Sequence, residues 1–113
     1  MENVYFSVKE DYKVKKGKIL DVSSVGMACV FDDKDAIYRE GTLFKEMQLC
    51  LKGVICIVDA TISHHRLMED GTNMYIVMFD SKKYNKFQDK VHHFVYKSLQ
   101  DSLAKDFKMI GNK

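Results

Sequence analysis

The hydrophobic repeat of this chain changes once, at Ser81, and that change dictates what the chain can fold into. Before Ser81, apolar and polar residues alternate in short runs broken every eight to twelve residues, the period of strands that bury one face. Six such runs stand at Asn3–Lys9, Lys15–Val22, Gly26–Phe31, Leu43–Leu51, Val54–His64 and Asn73–Phe79. Val54, Cys56, Val58, Ala60 and Ile62 share one face of the fifth, and Met74, Ile76 and Met78 one face of the sixth. Lys52-Gly53 and Glu69-Asp70-Gly71 supply hairpin tips between them. After Ser81 the steps become helical. Tyr84, Phe87, Val91, Phe94, Val95, Leu99, Leu103 and Phe107 form one stripe on a helix expected over Lys82–Phe107, with Asp80 or Ser81 as N-cap and Gly111 as stop. The expected fold is mainly β: a six-stranded antiparallel barrel over residues 1–80 followed by one long C-terminal helix over 82–107. Together they make a single domain over residues 1–113.

Composition narrows the class. With 46% apolar and 30% charged residues, the 113-residue chain can build one core without staples. No apolar run reaches the ~18 residues of a membrane span, and the charged start lacks the apolar region of a signal peptide. The opening Glu2-Asn-Val-Tyr-Phe-Ser7 is read as a native first strand, because it lacks the glutamine of the protease site it superficially resembles. Cys29, Cys50 and Cys56 are odd in number and sit in strand-like runs. They predict buried thiols and a cytoplasmic setting rather than a disulfide framework.

Charge is divided unevenly. Residues 1–80 hold ten basic and thirteen acidic side chains, net −3, whereas residues 81–113 hold eight basic and three acidic, net +5. An acidic strand platform argues against a nucleic-acid polymer as partner.

One motif carries chemistry. Asp21-Val-Ser-Ser-Val-Gly26 falls at the corner between the second and third strands. Asp21 can accept from the N–H edge of a base, Ser23 can donate or accept, and Gly26 can adopt positive φ and let a ligand approach the backbone. Gly17-Lys-Ile-Leu-Asp-Val-Ser-Ser-Val-Gly-Met27 resembles the signature strand pair of the PilZ family of cyclic di-GMP receptors. Glu40-Gly41-Thr42 before the fourth strand, and Gly71–Phe79 closing the sheet ahead of a helix, follow the same order. The resemblance implies a PilZ-like barrel and makes Asp21, Ser23 and Gly26 ligand-binding residues for cyclic di-GMP.

The chain departs from that family in one respect. Family members that bind the nucleotide carry Arg-x-x-x-Arg upstream of this corner. Here the twenty residues before Asp21 contain no arginine, and the chain has only Arg39 and Arg66. An arginine fork pairs phosphate or the guanine Hoogsteen edge bidentately, which a lysine point charge cannot do. Two missing contacts of roughly 1.5–3 kcal/mol each correspond to about two to four decades of affinity. Lys9, Lys13, Lys15 and Lys16 are the basic substitutes nearest in sequence. The expectation is a non-enzymatic regulatory module of cyclic di-GMP signalling whose nucleotide binding is weak or absent in this chain alone. The alternative is a degenerate PilZ domain acting purely as a protein–protein adaptor.

Other constellations point to structure. His64-His65 and His92-His93 are adjacent pairs without metal-ligand spacing, so no metal site or cofactor is expected. Asp32, Asp33, Asp35 and Glu40 form a solvated connection without the glycine and spacing of a calcium loop. No phosphate loop or nucleophile elbow occurs, and no enzyme is predicted. The helix, ~35 Å long at 1.5 Å per residue, exceeds what a small barrel needs. Leu99, Leu103 and Phe107 are therefore expected to meet a protein effector or a second copy.

Overall fold

The computed structural model describes residues 4–84 and 86–111, with side chains through Asp101. Its strands are β1 (Val4–Glu10), β2 (Lys13–Val22), β3 (Gly26–Phe31), β4 (Leu43–Leu51), β5 (Val54–Leu67) and β6 (Asn73–Asp80), followed by α1 (Phe87–Gly111). The strands close into an antiparallel barrel in the order β1-β2-β3-β6-β5-β4. The third and fourth strands fall where the alternation places them; β2 starts two residues earlier than expected and β5 runs three residues further. Asn3 lies outside the described residues. No helix among the described residues is long and apolar enough to cross a membrane.

The core takes one face of every strand. Cys56, Val58, Ala60 and Ile62 of β5 are buried as the alternation requires, while Val54 at the strand's first position is exposed. On β6 the inward residues are Tyr75 and Val77, both fully buried, and Met74, Ile76 and Met78 face outward. That strand is apolar on both faces, so its alternation alone did not say which face was the core.

Each mouth of the barrel is closed differently. At the end formed by Glu10, Phe31 and Leu67, the loop after β3 folds Tyr38 against Phe31, with ring centroids 4.7 Å apart. The Tyr75 hydroxyl accepts from the Tyr38 N–H at 3.0 Å and donates to the Ala36 carbonyl at 3.3 Å. At the end formed by Val4, Val22 and Leu51, α1 packs Phe87, Val91 and Phe94 into the core cluster.

The helix begins at Phe87 rather than Lys82. Asp80 accepts from the Lys82 N–H at 3.2 Å, and the Tyr84 N–H donates to the Ser81 carbonyl at 2.9 Å, so Asp80 closes a turn instead of capping a helix. Between strand and helix, the chain is fastened by Asp59 of β5. This carboxylate accepts from the Glu46 N–H and the Tyr84 hydroxyl, both at 2.9 Å, and lies 3.6 Å from the Lys83 ammonium. Glu46 stands in a β4 bulge with φ 54°, a conformation L-residues rarely hold without such an acceptor. The node therefore joins the bulge, β5 and the approach to α1.

The Glu46 N–H first, with the Tyr84 hydroxyl and Lys83, holds Asp59 below the usual carboxylate range. A depressed carboxyl contributes stability above its ordinary range and loses it as pH falls through its folded value. Asp59→Asn is expected to cost about 1–3 kcal/mol at neutral pH. It should also flatten the fall of stability on acidification below the ordinary carboxylate range, as measured by urea melts across that window. An unchanged acid limb would remove Asp59 from this role.

Candidate functional site

The β2–β3 corner is a compact three-residue connection, Ser23 to Val25. Ser23 donates its N–H to the Gly26 carbonyl at 2.8 Å, its hydroxyl reaches the same carbonyl at 3.4 Å, and that hydroxyl accepts from the Val25 N–H at 3.3 Å. Asp21 accepts from the Val22 N–H through Oδ1 at 3.0 Å. The Val25 carbonyl accepts from the Phe79 N–H of β6 at 2.8 Å, locking the corner to the neighbouring strand. Asp21 and Ser23 remain exposed on this rigid turn, beside an exposed Val25.

Gly26 does not take the positive φ expected of it, and it is buried. A Cβ there would stand 2.5 Å from the Val77 carbonyl and 3.3 Å from Met78 Sδ. The passage of β6 directly over this position requires a glycine whether or not a ligand reaches its backbone.

The structure does not bring the four expected lysines to this corner. Lys9 pairs with Val14, and Lys13 with Glu10, at the opposite end of the β1–β2 hairpin. Lys15 pairs there with Val8 and forms an ion pair with Asp33 at 3.0 Å. Lys16 pairs with Ser7. At about 3.3 Å per residue, even Lys16 is roughly 16 Å from Asp21 along β2. Proximity in sequence failed because a straight strand carries the residues apart. β1 instead starts at the Asp21 end, since Tyr5 pairs with Lys18. The position before β1 is thus the one a basic segment would need.

A cation missed by sequence reasoning lies on the outer face. Arg66 pairs with Met74, Met74 with Val30, and Val30 with Lys18, a single outward row across β5, β6, β3 and β2. Arg66, Leu20 and Val30 line an open groove of about 690 Å³ that Glu69 and Asp70 also border. Leu20 stands at a register slip of β2 immediately before Asp21, and it is the lining residue next in sequence to the motif, whose own residues do not line the groove. Only the strand register reveals this neighbourhood, because 45 residues separate Asp21 from Arg66.

Other candidates have structural roles. His64 bonds Ser63, and His65 donates to Asn73 Oδ1 at 2.7 Å while stacking on Tyr75 at 5.0 Å. Among the described residues no group of three or more His, Cys, Asp or Glu side chains is placed to hold a metal ion. Burial pushes the Cys29 thiol up to about 12 and raises that of Cys56, which makes both unreactive.

Comparison with solved structures defines the class of fold. The PilZ domain of YcgR from Escherichia coli with c-di-GMP superposes with a TM-score of 0.71 at 14% identity, covering 93% of this chain and 88% of that one. YcgR from Escherichia coli in complex with c-di-GMP gives 0.77 at 16% identity, over 94% of this chain and 46% of that one. The K. pneumonia MrkH–c-di-GMP complex gives 0.79 at 14% identity, over 91% and 49%. The chain thus has the PilZ-domain fold, and it spans about half the length of the two longer neighbours. No family model matches it, and neither does any curated protein sequence.

Gly26→Ala is expected to lower stability by about 1–3 kcal/mol in urea melts without ligand, because the added methyl meets backbone rather than a yielding side chain. A neutral substitution would mean that β6 does not require the glycine.

Proposed function

We propose that this chain is a non-enzymatic regulatory module of cyclic di-GMP signalling, working in the cytoplasm and binding the nucleotide weakly when alone. The observation that carries this reading is the exposed Asp21 and Ser23 pair on a rigid β2–β3 corner, in a fold shared with three c-di-GMP complexes. Asp21 is suited to accept from the guanine N–H edge and Ser23 to complete that contact. Arg66, on the far wall of the groove that begins at Leu20, would be a planar cation for phosphate or the guanine Hoogsteen edge. A single fork facing two carboxylates in that groove replaces the two forks of the family, so affinity falls.

Titration calorimetry with cyclic di-GMP is expected to give a Kd no tighter than tens of micromolar, with Asp21→Ala, Ser23→Ala and Arg66→Ala each weakening it at least several-fold. Sub-micromolar binding unaffected by these changes would place the site elsewhere. No binding at all would favour the adaptor reading.

That second reading has its own observation. Beyond Phe94 the apolar row advances by steps of four, and each such step drifts about 40° around the helix. Val95 and Leu99 are accordingly exposed, at 40% and 58%, instead of following Phe94 into the core. Leu103 and Phe107 continue the row on α1, and their side chains lie outside the described residues. A protein effector or a second copy would cover this row. Sedimentation is expected to show association in the wild type that a Leu99→Asp, Leu103→Asp variant loses while keeping its melting temperature. Monomeric behaviour of both would overturn an association role.

A further inference from the structure

We propose that the cavity between α1 and the β4–β5 turn binds a small anionic amphiphile, a carboxylate or phosphate head on a short apolar body. Its floor is apolar, formed by Leu51 and Val54 of the hairpin and Phe94 of the helix. Its rim is basic. Lys86, Lys90, His93 and Lys97 follow one another at steps of four, three and four, so they share one stripe of the helix approach and α1. Lys52 faces them from the turn, with its ammonium 6.0 Å from the Phe94 ring. Asp89 is the one carboxylate on the walls, against four ammonium groups.

A second feature points to an occupant. Phe87, Val91 and Phe94 form the stripe of α1 buried against the barrel, and the next position of that stripe is Ser98. Ser98 lines the cavity, and its hydroxyl is buried with no hydrogen-bond partner among the described residues. Leaving a polar group so placed is costly, and an apolar residue here would complete the stripe. An acceptor oxygen in the cavity would satisfy it.

The cavity measures about 320 Å³, at the small end of ligand sites. It lies between two elements rather than on a projecting face, so its occupant is a single dissolved molecule and not a bilayer. Point-charge ammonium groups select for negative charge without demanding a planar head. The lysines confer the anion preference, and the floor selects the apolar body.

Octyl phosphate tests this on the whole 113-residue chain, with inorganic phosphate and octanol as controls. Calorimetry is expected to show saturable binding of octyl phosphate and at least tenfold weaker binding of either control. A Lys86→Gln, Lys90→Gln, Lys97→Gln variant changes only exposed side chains and should lose at least tenfold in affinity with its melting temperature kept. Ser98→Leu keeps every charge and should lose at least fivefold. Amide shifts on titration should concentrate in Leu51–Val54 and Phe87–Ser98. Absence of saturable binding overturns the proposal, as does undiminished affinity in either folded variant or equal binding of inorganic phosphate, which would mean attraction to surface charge alone.

Discussion

The barrel depends on the approach of β6 to Gly26. Closing a six-stranded sheet requires β3, the end of the first three-stranded meander, to pair with β6 rather than with the strand that follows it in sequence. That pairing runs from Gly26 with Met78 to Val30 with Met74, and it starts where the Val77 carbonyl leaves no room for a Cβ. Gly17 has the same role on β2, where a Cβ would meet the Val30 carbonyl and the Phe6 ring. Two absent side chains thus set the curl of β2 and β3, and the core residues fill the volume that the curl encloses.

The consequence reaches the candidate site. Gly26 and Ser23 are both engaged in shaping the corner, one by admitting β6 and the other by bonding the turn's own backbone. A chain needs these residues to fold whether or not it binds a nucleotide. Asp21 is the member of the motif whose carboxylate does least for the fold, since its one hydrogen bond is to the adjacent Val22 N–H. The proposed binding at this motif therefore rests chiefly on Asp21, with Arg66 on the far wall of the groove that begins at Leu20.

Alternation made most of the barrel legible: residues whose partners lie on the other face of a two-residue repeat announce themselves, and β3 and β4 matched to the residue. The errors have physical sources. Asp80 makes the bond an N-cap would make, accepting from the Lys82 N–H, but the chain continues as a turn tied to Asp59 through Lys83 and Tyr84, and the helix begins at Phe87. Lys9 and Lys13 looked near Asp21 because sequence distance was read as spatial distance along an extended strand. Arg66 and Asp59 were invisible because each acts across strands. Register decides their neighbours, and the β4 and β5 bulges that set it leave no mark in composition.

The charge division acquires a spatial meaning in the fold. An acidic barrel followed by a basic helix suggests mutual neutralisation, yet the described residues contain just two ion pairs, Lys15 with Asp33 and Lys83 with Asp59. Neither involves Lys86, Lys90 or Lys97. Those lysines instead gather beside Lys52 around one cavity, where like charges raise the local potential. The β2–β3 corner opens at the same end of the barrel, since β1 begins there and α1 packs there. Clustered ammonium groups of this kind are expected to draw anions at a rate that falls with added salt. The two places differ in chemistry: the corner presents the Asp21 carboxylate and the Ser23 hydroxyl, whereas the cavity presents ammonium groups over an apolar floor. On the two proposed readings, a cyclic dinucleotide would use hydrogen-bond acceptors at the corner and a single-headed amphiphile would use charge and apolar contact in the cavity, so the two ligands would not compete for the same groups.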